Sequence, residues 1–133
     1  ILDDVPPNLP ALIRAEKLTK RAARVGFDWP QMDQVIAKID EELAEVKAEI
    51  NADASENYIE DEIGDLLFTI ANLARYCKID PETALKKTNR KFIERFHFIE
   101  QELEDADMRF EDASLELMEE HWQTAKAAIL KIK

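Results

Sequence analysis

Hydrophobic residues recur every three or four positions along most of this chain, which is the spacing that places them on one face of an α-helix. Five segments carry this pattern, and their predicted bounds are residues 10–24, 30–51, 55–78, 81–104 and 114 onward. The connections between them are short, which favours antiparallel neighbours. The pattern therefore predicts an all-α fold, a four-helix-type bundle with an additional helix.

Residues that interrupt helices stand between these segments. Three prolines make the first ten residues an irregular lead-in, and Gly26 and Pro30 separate the first segment from the second. Asp80 followed by Pro81 is a typical helix start, because aspartate caps free backbone N–H groups and proline suits the first turn. In the last segment, the spacing turns Ile129 inward.

The composition supports one helical domain spanning residues 1–133. The chain has a normal length for a single core, and 46% of its residues are hydrophobic, which is enough to fill that core. Only two glycines and five prolines interrupt it, as is typical of helical proteins. Because the chain begins at Ile1 rather than at methionine, we expect it to be a C-terminal fragment of a longer protein.

Charge and cysteine content limit the classes of partner. The formal net charge of −11 argues against nucleic acid or an anionic membrane surface as the main partner. A small anionic ligand is still compatible with this charge, because a bound metal ion can dominate the local electrostatic field. Cys77 is the only cysteine, so no internal disulfide can form, and we expect a core thiol in the reducing cytoplasm. No stretch resembles a membrane span or a signal peptide.

Two pairs of acidic residues lie beside the hydrophobic faces of the second and third segments. Glu42 and Glu45 are three positions apart, as are Glu62 and Asp65, so each pair presents two carboxylates on one helix surface. If the two hydrophobic faces pack together, both pairs line one groove. Neither Glu62 nor Asp65 has a basic residue three or four positions away. A Mg²⁺ ion would relieve the repulsion, because hard cations prefer carboxylate oxygens.

The pairs alone do not decide between a metal site and a solvated acidic face, which is common in so acidic a chain. Glu41 points about 100° further round the helix than Glu42 and is a candidate outer ligand, general base or plain surface residue. Gly64 costs about 1 kcal/mol relative to alanine inside a helix, and a close approach of another helix would account for it.

Basic residues on the fourth segment suit an anion. Lys87, Lys91 and Arg95 recur every four residues, and Arg95 has no acid three or four positions away. Asn89 interrupts the hydrophobic stripe, where a half-buried amide needs hydrogen-bond partners. Phosphate would suit both side chains, since arginine offers a forked set of donors. Interhelical ion pairs are the alternative for Lys87 and Lys91.

The aromatic residues and His121 are assigned to structure from the sequence alone. Phe27 and Trp29 are predicted to pack at the first helix junction. Trp122, one turn before Lys126, fits a core residue more readily than a stacking platform for a base. His121 is predicted to be structural or exposed.

Two other functions fit parts of the pattern. A di-iron carboxylate bundle needs two Glu-x-x-His motifs. Glu94 and His97 supply one, but Met118 stands three residues before His121, so the second is absent. A non-catalytic helical dimerisation module with an acidic face is the other alternative, and it predicts that the acidic residues bind no metal and tolerate substitution.

The order of several motifs resembles that of one enzyme family. Residues 41–45 (EELAE) and, sixteen residues later, 62–65 (EIGD) are similar to the EExxE…ExxD signature of the MazG-type nucleoside triphosphate pyrophosphohydrolases. The likeness continues in residues 21–29, 89–96 and 118–122, so it covers nearly the whole chain. The chain most resembles the C-terminal catalytic domain of a two-domain bacterial MazG.

This resemblance implies an activity and an assembly. The expected enzyme is an all-α homodimer that hydrolyses a nucleoside triphosphate, or a deoxynucleoside triphosphate, to the monophosphate and pyrophosphate. The expected cofactor is Mg²⁺, with Mn²⁺ able to replace it. We expect a broad base specificity, because few polar residues are available to read a base, and a housekeeping role in the nucleotide pool.

The resemblance also implies the roles of individual residues. The metal ligands would be Glu42, Glu45, Glu62 and Asp65. The residues that hold phosphates would be Lys38, Lys91 and Arg95. The residues near the nucleotide would be Asn89, Trp122 and Lys126. One of the acids, Glu41 or an incompletely engaged ligand, would take the proton of the attacking water.

Overall fold

The computed structural model describes residues 1–132, and the side chains of residues 1–128. This part of the chain contains no strand, and its α-helices are α1 (Ala11–Ala23), α2 (Met32–Asn51), α3 (Glu56–Tyr76), α4 (Pro81–Asp105) and α5 (Leu115–Ile132). One short 3-10 helix, Phe110–Asp112, precedes α5. The predicted all-α fold is confirmed, and every predicted bound lies within two residues of the observed one. The inward position predicted for Ile129 lies outside the described side chains.

The helix ends carry the local signals that the sequence predicted. Gly26 has a φ of +91°, a left-handed conformation that favours glycine, and it lies in the turn that follows α1. Asp80 caps α4, because its Oδ1 accepts the backbone N–H of Glu82 at 2.9 Å. Ser114 caps α5 in the same way, since its hydroxyl accepts the N–H of Leu117 at 3.0 Å. These two caps mark where α4 and α5 begin.

The helices form two compact units, Ile1–Ala84 and a second that begins at Leu85. The boundary lies one turn into α4, so the first unit contains α1, α2 and α3, and the second contains most of α4 together with α5. The single domain inferred from the sequence stays a prediction. None of the described helices is long and hydrophobic enough to cross a membrane.

In the first unit, α3 packs against both α1 and α2. The buried hydrophobic residues are Val35 and Val46 of α2, Ala71 of α3, and Val5 of the lead-in. Burying a valine side chain stabilises a fold by about 1.5 kcal/mol, so the irregular lead-in contributes to the core of this unit.

The hydrophobic spacing predicts that the recurring apolar residues of each helix face inward, but several of them are exposed. On α2, Ile36, Leu43 and Ile50 are 41–56% exposed, and on α3 Ile63 and Leu67 are 42% and 51% exposed. That part of the prediction is wrong. Each helix carries apolar side chains over an arc wider than one neighbour covers, and periodicity does not say which part of the arc meets that neighbour.

Cys77 is exposed rather than a core thiol, which corrects the prediction made for it. It is the residue that follows the last residue of α3, and Lys78 after it has a left-handed φ of +60°. The prediction continued the inward-facing spacing of α3 past Tyr76, where the helix ends, and therefore placed Cys77 in the core.

In the second unit, α4 and α5 meet through aromatic rings and a few aliphatic side chains. Ile99 and Leu103 of α4 and Ala125 of α5 are buried. The ring of Phe98 lies edge-on to His121, with centroids 6.4 Å apart. His121 is therefore in a packing contact.

Gly64 lies in the interior of α3 and is exposed. A Cβ atom at this position would meet no described atom within 4 Å. No helix approaches Gly64 closely in the described part of the chain, so that prediction is wrong. Nothing there offsets the extra conformational entropy that glycine loses when it becomes helical.

We expect Gly64→Ala to raise the free energy of unfolding by about 1 kcal/mol, because alanine fits here and restricts the unfolded chain. Urea denaturation of both proteins measures the difference. Gly26→Ala is the matched control, since a φ of +91° strains any side chain, and it should lower the free energy of unfolding. A destabilising Gly64→Ala would show that the folded protein fills the space beside this residue.

Candidate functional site

The acidic residues predicted on α2 and α3 meet in the first unit, where these helices pack against each other. One carboxylate oxygen from each of Glu42, Glu62 and Asp65 lies within 4.8 Å of the others. Glu45 joins them, because its carboxyl group is hydrogen-bonded to that of Glu62. These four residues, which we call the acid cluster, are the four that the motif resemblance implied as metal ligands.

The acid cluster contains carboxylate oxygens that no protein group satisfies. Glu42 is only 5% exposed, and its Oε2 has no hydrogen-bond partner among the described residues. Oε2 of Glu62 is also buried and also lacks a hydrogen-bond partner among the described residues. Such an atom is costly, because it loses water without gaining a hydrogen bond. A divalent cation fits this donor set, since hard cations such as Mg²⁺ select carboxylate oxygens.

Glu62 has the most perturbed carboxyl group of the acid cluster. The hydrogen bond with Glu45, the loss of solvent, and the charges of Glu45, Glu42 and Asp65 together raise the pKa of Glu62 from 4.5 to about 7. The cluster without a cation therefore holds a proton close to neutral pH. Binding of a cation would displace that proton, as it does at other carboxylate sites.

Lys38 lies one turn before Glu42 on α2 and pairs with two acids. Its Nζ is 3.1 Å from Oε1 of Glu42 and 3.2 Å from Oε1 of Glu41. The hydrogen bonds to Glu42 and then to Glu41 raise the pKa of Lys38. Glu41 is exposed and contacts this lysine. Lys38 therefore lies at the edge of the acid cluster, and a contact between Lys38 and phosphate stays a prediction.

Arg95 of α4 and Trp122 of α5 contact each other in the second unit. The guanidinium carbon of Arg95 lies 5.3 Å from the centroid of the Trp122 ring, which is within range of a cation–π interaction. The Nε of Arg95 is buried and has no hydrogen-bond partner among the described residues. Arg95 thus has a cation–π contact with Trp122, while its Nε is a buried donor that no described residue accepts.

The other residues predicted to contact the nucleotide are more accessible. Lys91 is half-buried, whereas Lys126 and Asn89 are exposed. The half-buried amide predicted at Asn89 is wrong, because Leu85 and Phe92 beside it in the hydrophobic stripe are 46% and 58% exposed. Their contacts with a nucleotide stay predictions.

A cavity of about 310 Å³ lies in the first unit between α1, α3 and the loop that joins α1 to α2. We call it the loop cavity. Its walls are mostly hydrophobic and include Leu18, Phe27, Trp29 and Phe68. Asn72, which is only 2% exposed, adds an amide to the wall. Phe27 and Trp29 were predicted to pack at the first helix junction, but Phe27 is 81% exposed and Trp29 is 41% exposed, so that prediction is wrong for Phe27. No pattern in the sequence indicated a cavity.

Asp28 ties the loop beside this cavity to the end of α3. Its Oδ1 accepts Arg75 Nη2 at 2.7 Å and the Tyr76 hydroxyl at 2.5 Å. The Tyr76 hydroxyl also contacts the backbone carbonyl of Trp29. Burial raises the pKa of Asp28, but the hydrogen bonds from Arg75 and Tyr76 outweigh it, and the net effect lowers that pKa. The partners lie 47 and 48 residues away in sequence. The local sequence feature at this position is an acidic residue, Asp28, between two aromatic residues, Phe27 and Trp29.

Comparison with known proteins identifies the family of the chain. Residues 31–99, which are more than half of it, match the MazG nucleotide pyrophosphohydrolase domain. The chain belongs to the MazG family. The resemblance inferred from the motifs is confirmed, and the acid cluster that the MazG signature implied lies within the matched residues.

Curated relatives of this MazG domain share more than two fifths of its residues. The nucleoside triphosphate pyrophosphohydrolase/pyrophosphatase MazG of Thermotoga maritima is 42% identical over 125 residues, which cover 94% of the chain and 48% of that protein. The nucleoside triphosphate pyrophosphohydrolase of Escherichia coli strain K12 is 44% identical over 126 residues, with the same coverage. The uncharacterized protein YabN of Bacillus subtilis is also 44% identical, over 26% of its own length. The chain spans about half the length of the first two relatives.

Proposed function

We propose that this chain carries a metal-dependent nucleoside triphosphate pyrophosphohydrolase, which cleaves the triphosphate to a monophosphate and pyrophosphate. The observation that supports this proposal is the acid cluster, with its unsatisfied buried oxygens, in a member of the MazG family. The relatives from Thermotoga maritima and Escherichia coli carry this activity in their names.

Mg²⁺ is the proposed cation, with Mn²⁺ able to replace it, because both prefer oxygen ligands. Glu42, Glu45, Glu62 and Asp65 would hold it. When bound, the cation supplies positive charge to the phosphate oxygens and to the attacking water, which lowers the cost of both bond changes. It would also remove the repulsion within the acid cluster.

The residues around the acid cluster have their own proposed roles. Glu41 is exposed, lies outside the cluster and is paired with Lys38, and it would accept the proton of the attacking water. Lys38, now shared between two acids, would turn one of its donors to a phosphate oxygen. Arg95 would stabilise charge on the leaving group, as arginine does at phosphate sites. The remaining proposed nucleotide contacts are Lys91, Asn89, Trp122 and Lys126.

The products of the reaction test this proposal directly. The protein is incubated with Mg²⁺ and each nucleoside triphosphate in water enriched in ¹⁸O, and the products are identified by mass spectrometry. Attack at the α-phosphorus gives unlabelled pyrophosphate and a monophosphate that carries one ¹⁸O. Release of inorganic phosphate and a diphosphate would contradict the proposal. No product at all would favour the non-catalytic helical module.

We expect a broad range of bases and both ribose and deoxyribose substrates, in a housekeeping role that places the activity in the cytoplasm. Few polar side chains in the described part of the chain are free to read a base. Comparison of kcat/KM across the four nucleoside triphosphates and their deoxy forms measures this range. A preference above about a hundredfold for one base would contradict it, because such selection needs dedicated hydrogen bonds.

A homodimer is also part of the proposal, and exposed apolar residues support it. Ile36, Leu43 and Ile50 recur every seven residues on α2 and are exposed, as are Ile63 and Leu67 on α3. Heptad spacing of this kind is typical of a helix face that packs against another helix. Exposed apolar residues that lie together on a helix face favour aggregation unless a partner covers them.

We expect Leu67→Glu to convert the protein to a monomer, because a charge buried in an interface without a partner is costly. Sedimentation velocity of both proteins measures the change in mass. Glu60→Lys on the exposed surface of the same helix is the control and should leave the mass unchanged. A Leu67→Glu protein that keeps the mass of the parent would place the interface elsewhere.

A further inference from the structure

We propose that Lys38 is the counter-ion of the acid cluster while no divalent cation is bound, and that binding of Mg²⁺ releases its ammonium group from Glu42. This inference rests on the proposed function, because it concerns the cluster that would hold the cation. It gives Lys38 a role toward the cation, whereas the proposed function gives it only a contact with phosphate.

Lys38 is placed to neutralise one member of the acid cluster. Its Nζ lies 3.1 Å from Oε1 of Glu42, one turn further along α2. Glu45, Glu62 and Asp65 form no ion pair with any residue that the structure describes. One ammonium group therefore balances only part of the charge that these carboxyl groups can carry.

The other oxygen of Glu42 is the one open to a cation. Oε2 is buried and has no hydrogen-bond partner among the described residues, and the side chain of Glu42 is only 7% exposed. A cation bound at Oε2 would share this carboxylate with the ammonium group of Lys38. The two positive charges repel each other, and the doubly charged ion attracts the carboxylates more strongly than the ammonium group does.

Little holds Lys38 at Glu42 once a cation competes for this carboxylate. The side chain of Lys38 is 33% exposed, so water can solvate the ammonium group. Its second partner, Glu41, lies outside the acid cluster with 58% of its side chain exposed. An ammonium group carries three donors on a flexible stem. It can therefore leave Glu42 and keep Glu41 and water as partners.

Release of Lys38 from Glu42 couples the cation to an anion. Without Mg²⁺, the ammonium group is engaged with two carboxylates. With Mg²⁺ in the acid cluster, the released donors are available beside a second positive charge, and a phosphate oxygen is stabilised by both. Cation and anion should therefore each strengthen the binding of the other.

Lys38→Met tests the inference, because methionine keeps much of the side-chain stem and removes the ammonium group. Isothermal titration calorimetry with Mg²⁺ alone, at pH 8, measures the affinity above the pKa of Glu62, which is about 7. We expect Lys38→Met to bind Mg²⁺ about fivefold more tightly than the parent, because a competing charge is lost. Lys38→Arg keeps the charge and should stay within about twofold of the parent.

Lys47→Met is the matched control. Lys47 is exposed on the same helix and forms no ion pair with a described residue. It is two positions from Glu45, so the two side chains do not face each other. The control changes the net charge by the same amount and should leave the Mg²⁺ affinity within about twofold of the parent, because salt screens distant charges. An equal gain in Lys47→Met would assign the effect to net charge and overturn the inference.

Methylenediphosphonate, an analogue of pyrophosphate that resists hydrolysis, provides a test of the opposite sign. At saturating Mg²⁺, we expect Lys38→Met to bind this probe about tenfold more weakly than the parent, because a charged hydrogen-bond donor is missing. A variant with a damaged acid cluster would bind both Mg²⁺ and the probe more weakly. That result would overturn the inference and assign Lys38 to holding Glu42 in position.

The parent protein reports the release directly, which keeps the test valid if Lys38→Met fails to fold. In protein labelled with ¹³C-lysine, the ε-methylene NMR signals of Lys38 are identified by their loss in Lys38→Arg. An ammonium group held by two acids keeps its two ε protons distinct, and their signals should converge on addition of Mg²⁺. Signals that stay distinct at saturating Mg²⁺ would show that the ammonium group remains on Glu42, contrary to the inference.

Failure of this inference is distinguishable from failure of the proposed function, because the Mg²⁺ titrations need no nucleotide. If the protein releases pyrophosphate but Lys38→Met binds Mg²⁺ no more tightly than the parent, the inference is overturned while the activity stands. If Lys38→Met binds Mg²⁺ more tightly and the parent cleaves no nucleotide, the inference stands without the activity. A parent protein that binds no Mg²⁺ would overturn the inference together with the metal dependence, and the product analysis would still decide the activity.

Discussion

Glu62→Gln should lower kcat/KM for nucleoside triphosphate hydrolysis about a hundredfold or more, because loss of an outer-shell partner alone costs a metal site 10–100-fold. Glutamine keeps the size of the side chain but removes one negative oxygen from the proposed ligands. Asp65→Asn should act in the same way. Initial rates at saturating Mg²⁺, with the phosphate products separated by chromatography, measure the loss.

The same substitution should make the metal-free protein more stable. Glu62 shares a hydrogen bond with Glu45 and faces the charges of two further acids, so a neutral amide relieves repulsion that the carboxylate maintains. The melting temperature in EDTA measures this gain. Glu60→Gln, on the exposed surface of α3, is the matched control and should alter neither quantity. Undiminished hydrolysis in Glu62→Gln would overturn the assignment of the acid cluster as the active site.

Mg²⁺ affinity should weaken about tenfold for each pH unit below 7, because one proton must leave the cluster for each cation that binds. The pKa of Glu62 is raised from 4.5 to about 7 in the folded protein, so protonation of this carboxyl group stabilises the folded metal-free protein relative to the unfolded chain. That contribution is fully present below the ordinary pKa and is lost as pH rises through 7. The stabilisation by Mg²⁺ should therefore grow as pH rises across the same range.

Thermal melts with and without Mg²⁺, followed from about pH 5 to about pH 8, measure this linkage through the change in melting temperature. Glu62→Gln serves as the reference, because its side chain carries no titrating proton. A Mg²⁺ effect on the parent protein that is independent of pH would contradict the raised pKa of Glu62. An equal pH dependence in Glu62→Gln would assign the proton to another group.

The helices were predictable because their signals are local. Gly26, Asp80 and Pro81 act within one or two turns of their own positions, so the sequence alone places the helix ends. The acid cluster was predictable for the same reason. Glu42 and Glu45 on one helix, and Glu62 and Asp65 on the next, needed only helical spacing and the packing of two adjacent helices.

Features that depend on distant residues were not predictable. Asp28 accepts hydrogen bonds from Arg75 and Tyr76, which lie 47 and 48 residues away in sequence. No local sequence pattern predicts these partners. The exposure of Leu43 and Leu67 depends on which part of a wide apolar arc meets a neighbour, which periodicity leaves open. The loop cavity follows from the path of an irregular loop. Sequence reasoning accordingly found the acid cluster and missed the loop cavity.

The arrangement along α3 has a consequence for how such an enzyme could diversify. The acids occupy the first half of the helix, and the residues that line the loop cavity occupy the second half. A substitution at Phe68 or Asn72 therefore changes the cavity wall while the acid cluster keeps all of its carboxylates. The two features can vary independently of each other although one helix carries both.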